Sequence, residues 1–267
     1  MFPERLHIVR RDAARAADVP PVVFVHGAWH GAWCWEAHFL DHFAEAGFEV
    51  LAPDLRGHGK SAAVRAMRWN RIADYAEDVL AVVDGLEHKP VVIGHSMGGL
   101  VTQHVMKRAG GKLAGAGLLA TVPWNGVWPA TLKVALKHPL AFAEANLRWT
   151  LYPIVRTPDR AKELFLEAGV TRQEAEHFTA KLGDESYLGY LDMLGLGLAW
   201  RFDPGIPVAV VGAERDFLFS PASQQATARA YGGTCHIVEG APHDLMLASQ
   251  WREAADRLIG WIRESVR

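Results

Sequence analysis

Short apolar runs, rich in β-branched residues and bounded by Gly or Pro, recur along the chain with amphipathic stretches between them. They fall at residues 22–25 (VVFV), 49–52 (EVLA), 90–94 (PVVIG), 116–122 (AGLLATV), 207–212 (PVAVVG) and 234–238 (TCHIV). Continuous rather than alternating hydrophobicity marks strands that are covered on both faces. Helical patterns at 35–46, 72–86, 97–108, 221–231 and 245–266 separate most of them. Strand alternating with helix builds βα units, so the spacing predicts an α/β fold with a mostly parallel central sheet flanked by helices. Residues 6–10 add an expected antiparallel edge strand.

The alternation stops between about residues 123 and 204, where helical signals occur without strands. Thr157-Pro158 places a cap residue before Pro at the first helical position. Thr171 and Glu174 form a capping-box pattern. Leu188, Leu191, Leu194 and Leu198 suggest a further helix, which Gly189, Gly195 and Gly197 weaken. The division expected is a core of 1–122 and 205–267 with a helical insert of 123–204. Such an insert either enlarges the core or caps a site at the carboxyl ends of the strands, where open α/β sheets bind ligands. The motifs below favour the cap.

Composition narrows the function classes. The chain has 267 residues, half of them hydrophobic and 22% charged, which excludes a disordered chain. A net charge of -2 gives no basic excess for a nucleic-acid partner. Two cysteines rule out a disulfide scaffold or a four-Cys zinc site and suit a reducing compartment. The N-terminal stretch has no apolar leader and no run of 18 apolar residues occurs. A cytoplasmic protein without stable membrane insertion is expected.

Gly94-His95-Ser96-Met97-Gly98 lies directly after one apolar run and before a helical one. A serine there sits on a tight turn, with glycines removing side chains that would clash. A hydroxyl attacks only when a base takes its proton and a third group orients that base. His243 follows the last apolar run and Asp216 the one before it, so both belong to loops at the same sheet edge as Ser96. Glu214 is the reserve acid. The backbone N–H groups of Ala28, after the first parallel run, and Met97, after the serine, are the candidate oxyanion donors.

The segments VVFVHGAWHGAWCW, APDLRGHGKS, VVIGHSMGGLV, VVGAERDFLFSP and VEGAPHDLML stand in the order and spacing of the α/β-hydrolase superfamily. The first block more specifically resembles the branch of plant methyl esterases, hydroxynitrile lyases and bacterial esterases. The resemblance implies an eight-stranded core or a trimmed version, a Ser96/Asp216/His243 triad, Ala28 and Met97 as donors, and a cap from the insert. The lyases of that branch carry Thr where this chain has Gly27, and Lys where it has Asp244. The Lys supplies positive charge for leaving cyanide, and Asp244 has the wrong sign. Ser96 likewise argues against the Asp-nucleophile epoxide hydrolases and dehalogenases of the fold.

Other motifs carry less. Gly115-Ala-Gly-Leu-Leu-Ala120 lies in a strand run with no helix opening from it, so no dinucleotide site is expected. Gly59-Lys60-Ser61 lacks the first P-loop glycine. His38 and His42 share a helix face but read as the polar side of a helix burying Phe39 and Phe43. His58 reads as structural. No metal and no cofactor are expected.

The partner expected is a small-molecule ester with an apolar acyl or aromatic group. The candidate pocket residues are Trp29, His95, Trp124, Trp128, Leu194 and Phe217. Of the ten Trp, Trp29, Trp33, Trp35, Trp124, Trp128, Trp149 and Trp200 fall in segments expected near the pocket. The alternative is that these aromatics only pack the insert on the core. Other chemistry on the same triad (perhydrolysis or C–C bond hydrolysis) and a slow, receptor-like hydrolase are the competing functions.

Overall fold

The computed structural model describes residues 6–15 and 18–266. Among them, seven strands form one sheet: β1 (Ile8–Arg11), β2 (Val22–Val25), β3 (Val50–Pro53), β4 (Val91–His95), β5 (Gly115–Leu119), β6 (Val208–Ala213) and β7 (Thr234–Val238). Their order is β1-β3-β2-β4-β5-β6-β7. β1 pairs antiparallel with β3, and every other pairing is parallel. The expected α/β architecture and its antiparallel edge are observed, in a seven-stranded version. β2 to β6 are buried throughout, which is why they read as unbroken apolar runs.

Helices α1 (Trp33–Glu36), α2 (Phe39–Glu45), α3 (Ile72–Val83) and α4 (Met97–Ala109) alternate with the first strands. Six helices then intervene between β5 and β6: α5 (Trp128–Lys137), α6 (Pro139–Arg148), α7 (Tyr152–Val155), α8 (Pro158–Phe165), α9 (Arg172–Thr179) and α10 (Tyr187–Leu191). The last two, α11 (Pro221–Ala230) and α12 (Trp251–Ser265), flank β7. One hydrophobic cluster lies on each face of the sheet, and a third joins the intervening helices to Trp29 and Leu218. None of these helices is long and apolar enough to cross a membrane.

The boundaries shift where side chains demand it. The single helix expected over 35–46 is broken at His38, whose φ of -151° leaves the helical region. The break lets Trp35 and Phe39 both pack on Phe24, while the His38 ring stacks on Trp251. The helix expected from residue 245 starts at Trp251, because the preceding chain turns after Asp244, whose N–H donates to Phe165 O. The helix expected through Leu198 ends at Leu191. Beyond it an irregular turn brings the Asp192 carboxylate to Arg71 and the Ile72 N–H, and Gly195 takes φ +148°. The capping box forms: Thr171 Oγ1 accepts from Glu174 N–H, and Glu174 accepts from Thr171 N–H. Thr157 stands before Pro158 without a side-chain cap bond.

Helix α4 lies so close to the sheet that backbones touch. A Cβ on Gly94 would stand 2.1 Å from Gly98 O, and one on Gly98 would stand 2.3 Å from Val25 O. Neither neighbour is a side chain that can rotate away. Gly98→Ala is therefore expected to destabilise the fold by about 1–3 kcal/mol through overpacking. A denaturant midpoint unchanged from the native chain would contradict this contact.

Candidate active site

β4 ends at His95, and α4 begins at Met97, so Ser96 occupies the turn between them. Its backbone takes φ 51° and ψ -116°, a strained conformation for a residue with a Cβ. Three backbone bonds hold it there: Ser96 N–H donates to Leu119 O of β5, and Ser96 O accepts from the N–H groups of Gly99 in α4 and Val122 just after β5. The turn projects Oγ to 3.0 Å from His243 Nε2. His243 Nδ1 lies 2.8 Å from Asp216 Oδ2. With Nδ1–H donating to the carboxylate, Nε2 is left to accept from the serine hydroxyl.

Each partner is fixed in turn. The other oxygen of Asp216 accepts from Leu218 and Phe219 N–H, at 2.7 and 3.0 Å, so the loop after β6 folds around it. Glu214 is exposed and accepts from Gly240 N–H instead, so the acid facing His243 is Asp216. Burial pushes the His243 pKa down, but the Asp216 charge, its hydrogen bond and the charge of Asp244 outweigh it and hold the pKa above the usual value. His95 is different. Burial and the neighbouring His243 push its pKa down to about 3, so it stays neutral.

Ala28 follows β2 and lines one cavity together with Ser96. No protein acceptor engages the Ala28 or Met97 N–H among the described residues. Gly27 meets the nucleophile turn directly: a Cβ there would lie 2.8 Å from His95 Nδ1 and 3.1 Å from Ser96 Cβ. The Thr of the lyase branch does not fit this arrangement without a shift.

The cavity has a volume of about 90 Å³, and its lining is almost wholly apolar. Ala28, Trp29 and Ser96 contribute from the core, Leu218 and Phe219 from the acid loop. Ala130 and Val134 of α5, Phe142 and Ala145 of α6, and Met193 close the far side. Of the six pocket candidates only Trp29 lines it. His95 sits behind His243, Nε2 at 3.2 Å from the His243 carbonyl. Trp124 is outside the lining: its backbone N–H donates to Thr227 Oγ1, and the Arg201 guanidinium stands over its ring. Trp128 is 61% exposed. Leu194 packs on the core beside the lining Met193. Phe217 lies under the Lys133 ammonium while its neighbours Leu218 and Phe219 face the cavity. His95, Trp128, Leu194 and Phe217 each stand one position from a lining residue, and the last two lie in irregular chain, where no periodicity assigns a face. The expectation for the other tryptophans also fails: Trp35 is buried in the core, Trp33 packs against His30 and Phe178, and Trp149 and Trp200 are largely exposed.

Two buried carboxylates lie beside the site: Asp244, whose charge the sequence already set next to His243, and Glu185, which no motif marks. Asp244 Oδ2 lies 2.9 Å from His30 Nε2, and His30 Nδ1 lies 2.7 Å from Ala28 O. Glu185, from the loop before α10, meets His58 Nε2 at 3.0 Å and accepts from Tyr75 OH at 2.9 Å. His58 is thus tied into a buried pair. His42 pairs with Asp256, and Phe39 and Phe43 are buried. Ligand atoms of His95, His243 and Asp244 lie within 4.8 Å of one another. Both His243 nitrogens are engaged by Asp216 and Ser96, so holding an ion there would dismantle that chain of hydrogen bonds.

Comparison with known proteins agrees with the fold. Over 110 residues the chain is 38% identical to a non-heme chloroperoxidase from Burkholderia pyrrocinia, covering 40% of this chain and 38% of that protein. Over 114 residues it is 36% identical to methylesterase 10 of Arabidopsis thaliana, covering 41% and 40%. The matched stretch is thus about two fifths of the length of these curated relatives. A thermophilic esterase structure from Thermogutta terrifontis superposes with a TM-score of 0.69 at 20% identity, over 97% of this chain and 93% of that one. The model of the alpha/beta hydrolase family matches residues 22–257. With that match spanning most of the chain, and the sheet and nucleophile turn as described, the protein belongs to the alpha/beta hydrolase family.

Proposed function

We propose that the protein is a serine hydrolase that cleaves carboxylic esters with an apolar acyl or aromatic group, through an acyl-enzyme on Ser96, with residues 123–204 acting as a cap. The observation that carries this reading is the unbroken hydrogen-bond chain Asp216–His243–Ser96 opening on an apolar cavity. The methylesterase and esterase names among the relatives point the same way.

In this mechanism Ser96 Oγ attacks the ester carbonyl as His243 Nε2 takes its proton. The Ala28 and Met97 N–H groups receive the oxyanion. His243 then gives the proton to the leaving alcohol. Water repeats the cycle on the acyl-enzyme, with His243 again as base. Asp216 holds the imidazole tautomer and stabilises its cation. A cytoplasmic site of action belongs to the same reading and is supported by two free thiols, Cys34 and Cys235. A second reading, perhydrolysis on the same residues, is favoured by relatives named haloperoxidase and esterase/perhydrolase. Peroxide-dependent halogenation assayed beside ester hydrolysis separates the two.

Ser96→Ala is expected to abolish ester hydrolysis, and a fluorophosphonate is expected to add its mass to the Ser96 peptide of the native chain. Full activity in the variant would sink the assignment. Asp216→Asn is expected to lower kcat by about 10⁴-fold, since it leaves His243 in the wrong tautomer.

The base works only when neutral, so kcat/KM should fall as the pH drops through a His243 pKa lying above the usual 6.5. Asp244 is one of the charges that raise it, so Asp244→Asn should move this acid limb to lower pH. A limb that moves upward, or stays put, would show that the Asp244 charge does not act on the base.

Val134 faces the cavity from α5. Val134→Trp should fill it and cut kcat/KM for a long-acyl p-nitrophenyl ester by about tenfold or more relative to the acetate. An unchanged acyl-length profile would place the acyl group elsewhere.

A further inference from the structure

The peptide that joins Ala28 to Trp29 is held at both ends. Its carbonyl accepts from His30, and its N–H, on Trp29, donates to Glu185 Oε2 at 3.3 Å. The next carbonyl, Trp29 O, accepts from Gly183 N–H at 2.8 Å. Trp29 needs this restraint, because its φ of +64° lies in the left-handed region that bulky residues avoid. Released, the loop would relax toward an ordinary conformation and swing the adjacent Ala28 amide. Gly183 and Glu185 belong to the loop between α9 and α10, so the restraint comes from the inserted helices and not from the sheet.

Glu185 is committed to this place. It is fully buried, and its carboxylate also faces His58 and Tyr75, both of the core. Burial would raise its pKa, but the His58 charge and hydrogen bond, with Ser186 N–H and Tyr75, hold it below the usual carboxylate range. A charge this deep is costly to bury, and no step of the proposed reaction consumes it.

We propose that Glu185 is a positioning residue, which clamps the Trp29 amide and so aims the Ala28 N–H at the oxyanion, coupling the seating of the inserted helices to turnover. The inference rests on the Ser96 hydrolase reading. It predicts a defect in transition-state binding and not in ground-state binding.

The test is steady-state kinetics of Glu185→Gln on the full chain, with active sites counted by fluorophosphonate titration. Per-site kcat should fall by about tenfold to a hundredfold, short of deleting a donor outright. KM should stay within about twofold, and the affinity for a trifluoromethyl ketone should weaken by the same factor as kcat/KM. Tyr75→Phe removes a different hydrogen bond to the same carboxylate and leaves the Trp29 clamp. It should lower the thermal midpoint while keeping per-site kcat. If Glu185→Gln cannot be purified folded, Glu185→Asp keeps the charge but withdraws it from Trp29, and the same kinetic loss is expected. Native per-site kcat in the Glu185 variant, or an equal kcat loss in Tyr75→Phe, overturns the proposal. Activity surviving in Ser96→Ala would instead overturn the hydrolase reading beneath it.

Discussion

The contact between backbones at Gly94, Gly98 and Val25 is the constraint on which the site depends. It brings α4 down onto β2 and β4 with no side chain between them. Only then can the chain pass from strand to helix in one residue, and that residue is Ser96, left at φ 51°. Strain of this kind persists only where surroundings over-determine it. Here the bonds to Leu119, Gly99 and Val122 do so. Position and strain of Ser96 are thus consequences of helix-on-sheet packing.

Buried charge provides the second layer of organisation. Asp216 with His243, Asp244 with His30, and Glu185 with His58 are carboxylate–imidazole pairs with both side chains almost wholly removed from water. Such pairs return little net stability, because desolvation offsets most of their attraction. Their effect is geometric. Each joins chain segments far apart in sequence, and two of them end on the Ala28–Trp29 peptide. The Ala28–Trp29 peptide is therefore braced from the His243–Asp244 loop on one side and from the loop before α10 on the other.

The parts that periodicity encodes were legible in the chain itself. Buried parallel strands leave continuous apolar runs, and a parallel sheet puts the loops after β4, β6 and β7 at one edge. The proximity of Ser96, Asp216 and His243 follows from that topology. The cavity wall was not legible for the opposite reason. Met193 and Leu218 line it while Leu194 and Phe217 do not, and in irregular chain a one-residue offset has no pattern to expose it. A signal does exist on α5, where Ala130 and Val134 sit four apart on one face toward the cavity, while the bulkier Trp128 is exposed to solvent. The sign of Asp244 was legible beside His243, but its pairing with His30, like that of Glu185 with His58, was not, since pairing across more than a hundred residues leaves no local trace.

The sign of the charge after His243 ties these layers together. In the branch this chain resembles, lyases carry Lys there to receive a leaving anion. A carboxylate in the same place, held by His30, does the opposite: it raises the affinity of His243 for a proton. On the proposed mechanism, an imidazole that holds its proton more firmly is better suited to collect one from a serine hydroxyl, and Asp216 would stabilise the resulting cation from the other nitrogen. The cost is a larger protonated, idle fraction at mildly acid pH. Burial pulls the other way, favouring neutral imidazole. The working pKa of His243 is set by that opposition, between two carboxylates that raise it and a dry, aromatic surround that lowers it. Phe165 and Phe219, whose rings lie 6.0 and 5.4 Å from the imidazole, supply part of that surround. Phe165 belongs to α8, between β5 and β6, so on the proposed reading the seating of these helices would set the dryness around His243 as well as the position of the Ala28–Trp29 peptide.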